Sequence, residues 1–122
     1  MTKSFRFQNF PVYKDIKNFI KDVFVVTSRF PAKCQFDLGG QVRRASISVL
    51  LNLAEGFGRN SDKEFNRFVS IAIGSVYEII AGLDIALDNK LLKESDYSVL
   101  YQKAESIKSQ LGGLSKVLKS RK

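Results

Sequence analysis

Apolar side chains recur at intervals of three and four residues along most of the 122-residue sequence, and this spacing predicts helices. Strand-like alternation of apolar and polar residues is hard to find. Near the C-terminus the apolar positions follow a heptad-like spacing that is typical of a bundle helix: Leu100, Ala104, Ile107, Leu111, Leu114 and Leu118. Four amphipathic stretches with short connections predict one all-α domain over residues 1–122, folded as an antiparallel up-and-down four-helix bundle.

Individual residues that favour helix starts or ends predict the limits of the first two helices. Helix 1 is expected over residues 11–29, because Pro11 suits the first helical turn and Pro31 disfavours helical geometry in the residue before it. Helix 2 is expected over residues 38–57, with Asp37 as its N-cap.

The last two helices have their own signals. Ser61 and Glu64 have the spacing of a capping box, which predicts that helix 3 spans residues 62–88. Helix 4 is expected to begin near Ser95. The pair Gly112–Gly113 interrupts its apolar line at a cost of about 1 kcal/mol per glycine, and it could allow another helix to approach closely.

The composition disfavours most enzyme chemistry. The chain has no histidine, which is the commonest general base near neutral pH and the commonest metal ligand. Its single cysteine, Cys34, cannot form an internal disulfide or a zinc-binding cluster, and no histidine is present to activate the thiol. We therefore predict a non-enzymatic protein with no catalytic residues, no metal and no cofactor.

The sequence carries no obvious targeting signal. No segment reaches the roughly 18 uninterrupted apolar residues that a membrane span requires. The N-terminus leads into no apolar stretch of the kind found in signal peptides, and a lone thiol suits a reducing compartment. A cytoplasmic location without membrane contact is the expectation.

Polar residues follow one face of helix 2 and one face of helix 3. If the two helices are antiparallel, facing positions would pair Arg44 with Glu78, Ser48 with Gly74 or Ser75, Asn52 with Ser70 or Ile71, and Glu55 with Arg67. We interpret this set as a structural polar network that fixes the pairing of the helices: Arg44, Ser48, Asn52, Glu55, Arg67, Ser75 and Glu78.

A catalytic or metal-binding role for two of the same residues is less favoured. Glu55 and Glu78 could act as paired carboxylates in acid–base chemistry or in metal binding. No histidine accompanies them, and each faces an arginine, which lowers the pKa of a carboxyl group rather than raising it.

The segment QVRRASISVLLNLAEGFGR, residues 41–59, resembles the core motif of the bacterial four-helix-bundle proteins, which are also called 23S rRNA intervening-sequence proteins. Residues 64–78 resemble the second motif of that family, and Phe30–Pro31 resembles its loop signature. Two departures occur: Ile73 stands where members often carry a basic residue, and Gly39–Gly40 stands where a Thr or Ser cap is more usual.

The resemblance implies properties that the residues alone do not. Members of the family form ring-like homo-oligomers, usually pentamers, so a pentamer is expected here. Some members are encoded inside rRNA insertions, and a related group assists diversity-generating reverse transcriptases by binding nucleic acid. The activity of the wider family is poorly defined.

Positive charge is concentrated at the two ends of the sequence. The net charge of the chain is +8; residues 1–30 contribute +4 and residues 101–122 contribute +5. Because helices 1 and 4 are neighbours in an up-and-down bundle, we predict a basic face that binds RNA or DNA through phosphates. Its candidate residues are Lys14, Lys17, Lys21, Arg43, Arg59, Lys108, Lys116, Lys119, Arg121 and Lys122.

Two alternatives to this prediction stay open. Lysine stripes on outer helix faces are often only solvated surface, and a pI of about 9.7 promotes nonspecific binding. The protein could instead be a protein–protein adaptor or scaffold, for example an accessory to a reverse transcriptase or to a ribosome-associated factor. An aromatic cluster near the N-terminus is expected to pack over the bundle end or into a neighbouring subunit rather than to stack on bases: Phe5, Phe7, Phe10 and Tyr13.

Overall fold

The computed structural model describes residues 6–121 and confirms an all-α bundle of four helices, with no strand in that range. A short 3₁₀ turn, Arg6–Asn9, precedes the first helix. The helices are α1 (Pro11–Ser28), α2 (Gly40–Phe57), α3 (Asp62–Asp88) and α4 (Glu94–Ser120). Each helix packs against the helices before and after it, and α4 closes the bundle against α1, as an up-and-down topology requires.

All four helices contribute to one hydrophobic core. Phe19 of α1, Leu53 of α2, Ile79 of α3 and Leu111 of α4 are fully buried within it. The predicted line of α4 is confirmed at five of its six positions, and the sixth, Leu114, is partly buried against the same core. Burial of these apolar surfaces is the main source of stability in such a bundle.

The start of α3 follows the sequence signal closely. The hydroxyl oxygen of Ser61 accepts a hydrogen bond from the backbone N–H of Glu64 at 3.1 Å. The carboxylate of Glu64 turns towards Arg67, at 3.2 Å, so only one half of the predicted capping box forms. The helix ends at Asp88, and Lys90 then adopts a φ of 60°, which reverses the chain towards α4.

The start of α2 differs from the prediction. A π-helical turn, Gln35–Gly39, runs directly into α2, so Asp37 lies inside helical backbone and is not an N-cap. The turn is held by side chains instead. The Nε2 atom of Gln35 donates to the carbonyl oxygens of Thr27 at 2.9 Å and Phe30 at 2.6 Å, and Nη2 of Arg43 donates to the carbonyl oxygen of Gln35 at 2.6 Å.

Two glycines allow α2 and α3 to pack closely. A Cβ atom at Gly82 would lie 2.6 Å from Cγ2 of Val42, and one at Gly56 would lie 2.7 Å from Cδ1 of Phe65. Gly112 and Gly113 have a different role, because a Cβ atom at either would meet no atom within 4 Å. The expectation that this second pair admits a neighbouring helix is therefore wrong within the described chain.

By length and composition alone, α3 could cross a membrane, with a mean hydropathy of 1.7 over its most apolar window. Core helices of soluble bundles pass the same test. In this structure the buried residues of α3 pack between α2 and α4, although only 39% of that window is buried.

We expect substitution of these glycines by alanine to have opposite effects on stability. Gly112→Ala and Gly113→Ala should each raise the free energy of unfolding by up to about 1 kcal/mol, because only the helix propensity changes. Gly82→Ala should lower it by about 1 kcal/mol or more, because overpacking against Val42 outweighs the propensity gain. Urea unfolding followed by circular dichroism measures all three, and a neutral or stabilising Gly82→Ala would contradict the close approach.

Candidate nucleic-acid interface

The lysines of α1 project away from the bundle. Lys14, Lys17 and Lys21 are all exposed, and none forms an ion pair with another residue of the described range. The ammonium of Lys17 lies 5.8 Å from the ring centroid of Tyr13, one turn earlier. This stripe is therefore open to solvent along its length.

The lysines of α4 lie on its other flank, facing α3. The ammonium of Lys108 lies 5.8 Å from the ring centroid of Tyr77 on α3 and 3.9 Å from Glu105. Lys116 and Lys119 line a groove that they share with Ile73 of α3. The predicted basic face is therefore divided: the α4 stripe lies beside α3, and the seam between α1 and α4 separates it from the α1 stripe.

The seam between α1 and α4 explains the separation. The carboxylate of Asp15 accepts a hydrogen bond from Gln110 at 2.9 Å, and Asp22 pairs with Lys103, whose ammonium also donates to Asn18 at 3.1 Å. Acidic and amide side chains, together with Lys103, thus occupy the surface where the two helices meet. Helical spacing predicts which residues share a face, but it does not say which neighbouring helix that face meets.

The arginines chosen from the sequence have partners within the protein. Arg43 is half-buried and donates to the hydroxyl of Thr27 at 3.0 Å, in addition to its bond with Gln35. Arg59 pairs with Glu55 on the preceding turn, and its guanidinium lies 4.7 Å from the Phe68 ring centroid. Of these two, only Arg59 is exposed.

Arg121 joins the end of α4 to the start of α3. Its Nε and Nη2 atoms donate to the two carboxylate oxygens of Asp62 at 2.9 Å and 2.8 Å. This bidentate hydrogen bonding lowers the pKa of Asp62 and raises the pKa of Arg121. Lys122, also predicted from the sequence, lies outside the described residues, as does Phe5.

The centre of the predicted polar network forms between α2 and α3. The hydroxyls of Ser48 and Ser75 share a hydrogen bond of 2.9 Å, which confirms the antiparallel register. Asn52 lies beside them but donates to the carbonyl and hydroxyl oxygens of Ser48, at 2.9 Å and 3.0 Å, rather than to α3.

The predicted direct ion pair between Arg44 and Glu78 does not form. Gln41 stands between the two residues: its Nε2 atom donates to Glu78, and its Oε1 atom accepts from Arg44 at 3.1 Å. The side chains of all three are exposed to solvent.

The predicted pair between Glu55 and Arg67 is also wrong. Glu55 pairs with Arg59 and Arg67 pairs with Glu64, in each case within three or four residues along the chain. Such neighbours are already in reach on one helix face, so they outcompete a partner on another helix. Exposed pairs of this kind contribute between about 0 and 1 kcal/mol to stability.

The two carboxylates singled out for acid–base chemistry are far apart. Glu78 bonds to Gln41 in the first turn of α2, whereas Glu55 lies in its last turn. Between residues 6 and 121, no three His, Cys, Asp or Glu side chains are grouped so that they could hold a metal ion. The geometry therefore does not bring the two carboxylates together.

Sequence reasoning missed a charge difference between the two ends of the bundle. We define the basic end as the half that contains the α2–α3 turn, residues 6–19, 49–75 and 107–121. It carries four anionic side chains and ten cationic ones: Arg6, Lys14, Lys17, Arg59, Lys63, Arg67, Lys108, Lys116, Lys119 and Arg121. The described remainder, which we call the neutral end, comprises residues 20–48 and 76–106 and carries eight of each sign.

Much of the charge at the basic end is available to a ligand. Asp62, Glu55 and Glu64 are each engaged by an arginine, and Asp15 is bonded to Gln110. Six cations at this end form no ion pair with another described residue: Arg6, Lys14, Lys17, Lys63, Lys116 and Lys119. All of these charges are visible in the sequence. The difference between the two ends appears only when the charges are summed by position along the bundle axis and not helix by helix.

The sequence supports the relationship that its motifs suggested. Residues 8–113 match the sequence model of the family described as 23S rRNA-intervening sequence protein. The chain belongs to this family. No curated protein matches it.

A solved structure has the same fold. It is the crystal structure at 1.70 Å of a protein with unknown function from the S23 ribosomal protein family, from Bacteroides thetaiotaomicron VPI-5482. The two chains are 19% identical with a TM-score of 0.79, over 86% of this chain and 98% of that one. Neither comparison indicates an enzymatic family.

In this 23S rRNA-intervening sequence protein, the two motifs noted in the sequence build the α2–α3 pair. Residues 41–59 supply Ser48 and Gly56, and residues 64–78 supply Phe65 and Ser75, which meet them. Aromatic residues pack together at the basic end, beside the α2–α3 turn. The ring centroid of Phe57 lies 4.7 Å from that of Phe10 and 4.8 Å from that of Phe65. The predicted packing of aromatic residues over the bundle end is confirmed for the described ones.

Proposed function

We propose that this 23S rRNA-intervening sequence protein is a non-enzymatic nucleic-acid-binding bundle whose basic end contacts the phosphates of RNA or DNA. The observation that carries the proposal is the charge distribution: the described residues have an excess of six positive charges, and all of it lies at the basic end. Six of the cations there form no ion pair with any other residue between 6 and 121.

Nucleic acids are the polyanions that such a surface suits best. Each phosphate neutralised by a lysine or arginine releases a condensed counterion, so affinity falls steeply as salt concentration rises. Lysine predominates among the unpaired cations, and a lysine contacts a phosphate as a point charge without reading bases. The expected binding is therefore strongly salt-dependent and weakly dependent on sequence.

Charge reversal at the two ends distinguishes this interface from a general effect of net charge. Replacing Lys14, Lys116 and Lys119 with Glu should weaken binding to a labelled 20-nucleotide RNA by about hundredfold or more at 100 mM NaCl. It should also reduce the slope of log affinity against log salt by about one per lysine. Fluorescence anisotropy measures both quantities.

The matched control is replacement of Lys33, Lys90 and Lys93 with Glu at the neutral end. Each triple substitution lowers the net charge from +8 to +2, and all six lysines are exposed. We expect the loss of affinity in this control to be less than about a tenth of the loss caused by the substitutions at the basic end. Equal losses in the two variants would contradict an interface at the basic end.

A second observation favours self-assembly, which we propose takes the form of a pentameric ring. On the outer surface of α2 and α3, Leu51 is 60% exposed, Ile71 is 42% exposed and Gly74 leaves open space. Around them lie charges of both signs, including Arg44 and Glu78. A second copy of the chain can match such a mixed surface, whereas the basic ends repel each other.

Assembly and nucleic-acid binding would support each other. Subunits of a cyclic assembly are equivalent, so the basic end would recur around the ring. Several weak phosphate contacts made at once give a higher affinity than any one of them.

Leu51→Glu should disrupt this assembly, because it places a charge at the centre of the apolar surface of α2 and α3. We expect light scattering after size exclusion to give the mass of a pentamer for the native protein and a lower mass for the variant. Val25→Glu makes the same change at a similarly exposed site, 52% on the α1 surface, and should leave the mass unchanged. A native protein that is monomeric would contradict self-assembly and favour an adaptor that uses this face for a different protein.

A further inference from the structure

The outer flank of α3 and α4 carries exposed aromatic and basic side chains, and the part of this flank nearest the basic end is a groove. We call the whole flank the tyrosine–lysine groove and define it by Tyr77 of α3 and by four residues of α4: Tyr101, Lys108, Lys116 and Lys119. At a rise of about 1.5 Å per residue, the α4 members span roughly 27 Å. The groove therefore leads from the basic end to beyond the middle of the bundle.

The tyrosines of this groove present ring surface to solvent. Tyr77 is 60% exposed and Tyr101 is 39% exposed. Lys108 holds its ammonium 5.8 Å from the Tyr77 ring centroid, and Tyr97 packs against Tyr101 with ring centroids 5.8 Å apart. Tyr97 is itself fixed, since its hydroxyl donates to the carboxylate of Asp84. The exposed rings are thus supported from within the protein.

The part of the groove nearest the basic end is open and cationic. It has a volume of about 430 Å³ and is lined by Ile73 of α3 and by residues of α4, among them Gly112, Lys116 and Lys119, with no carboxylate in this part of the lining. The nearest carboxylate that pairs with a groove lysine is that of Glu105, 3.9 Å from Lys108. Gly112 keeps it open, because the position has no side chain and a Cβ atom there would meet no atom within 4 Å.

We propose that the tyrosine–lysine groove is a subsite for single-stranded nucleic acid, in which Tyr77 and Tyr101 stack on bases while Lys116 and Lys119 contact phosphates. The inference rests on the proposed function and specifies the form of nucleic acid that the protein selects. Bases within a duplex are already stacked on one another, so only unpaired bases can stack on a tyrosine.

The combination of exposed aromatic rings with cations favours single-stranded nucleic acid as the ligand of this groove. A basic surface that binds only duplex phosphates has no use for exposed aromatic rings, whereas single-strand binding sites combine a cationic groove with aromatic platforms. Tyr77 lies beside Lys108 on this flank, and Tyr101 shares the face of α4 that carries Lys108, because it precedes that residue by two helical turns. The apolar side chain of Ile73 in the floor suits the face of a base rather than a phosphate.

Two adjacent glycines provide a matched test. Gly112 and Gly113 are both exposed and both have open space around an added Cβ atom, but they point about 100° apart and only Gly112 lines the groove. Gly112→Glu should weaken binding of a single-stranded 20-nucleotide oligouridylate about tenfold at 100 mM NaCl, and Gly113→Glu should weaken it less than about twofold. Binding of an RNA duplex of equal length should distinguish the two variants far less.

Stacking is tested separately from charge. Tyr77→Leu should weaken binding of the oligouridylate about fivefold or more without changing its salt slope, while Tyr77→Phe, which keeps the ring, should retain the native affinity. Circular dichroism and light scattering establish that each variant keeps the native fold and mass before its affinity is compared.

The outcomes separate this inference from the proposed function. If both glycine variants bind the oligouridylate equally well, or if Tyr77→Leu binds it like the native protein, the subsite is overturned. The proposed function then stands as long as charge reversal at the basic end still weakens binding about hundredfold or more. If the native protein binds neither the oligouridylate nor the duplex, both proposals fail.

Discussion

The close approach of α2 to α3 is the constraint on which the rest of the structure depends. Gly82 leaves room for Val42 at one end of the contact, and Gly56 leaves room for Phe65 at the other. The hydrogen bond between Ser48 and Ser75 lies between these two points. Three contacts along one interface allow only one register, and this register sets which chain segments meet at each end of the bundle.

That alignment gives the two ends of the bundle different net charges. Residues 6–19, 49–75 and 107–121 are distant in sequence, yet antiparallel packing places them in the same half of the bundle. The two surfaces that we assign have different chemistry. The α2–α3 face, to which we assign the proposed self-assembly, mixes both signs of charge with exposed apolar groups, whereas the basic end presents cations with few competing carboxylates.

The fold could be predicted from the sequence in most respects, because apolar spacing, Pro11 and the Ser61 cap are local signals with local consequences. Prediction was wrong where the outcome depends on competition or on packing. Glu55 bonds to Arg59 because that residue is one turn away, and Lys108 faces Tyr77 because α4 turns that flank towards α3. Apolar periodicity gives the buried face of a helix, but the neighbours of its polar flanks follow from the assembled bundle.

Photochemical crosslinking of the protein to RNA, with the crosslinked peptides mapped by mass spectrometry, would locate the nucleic-acid interface on the bundle. We expect crosslinks in the peptides of the basic end and in the peptide that contains Tyr77. Crosslinks concentrated in residues 29–39 and 88–94, at the opposite end of the bundle, would contradict this expectation.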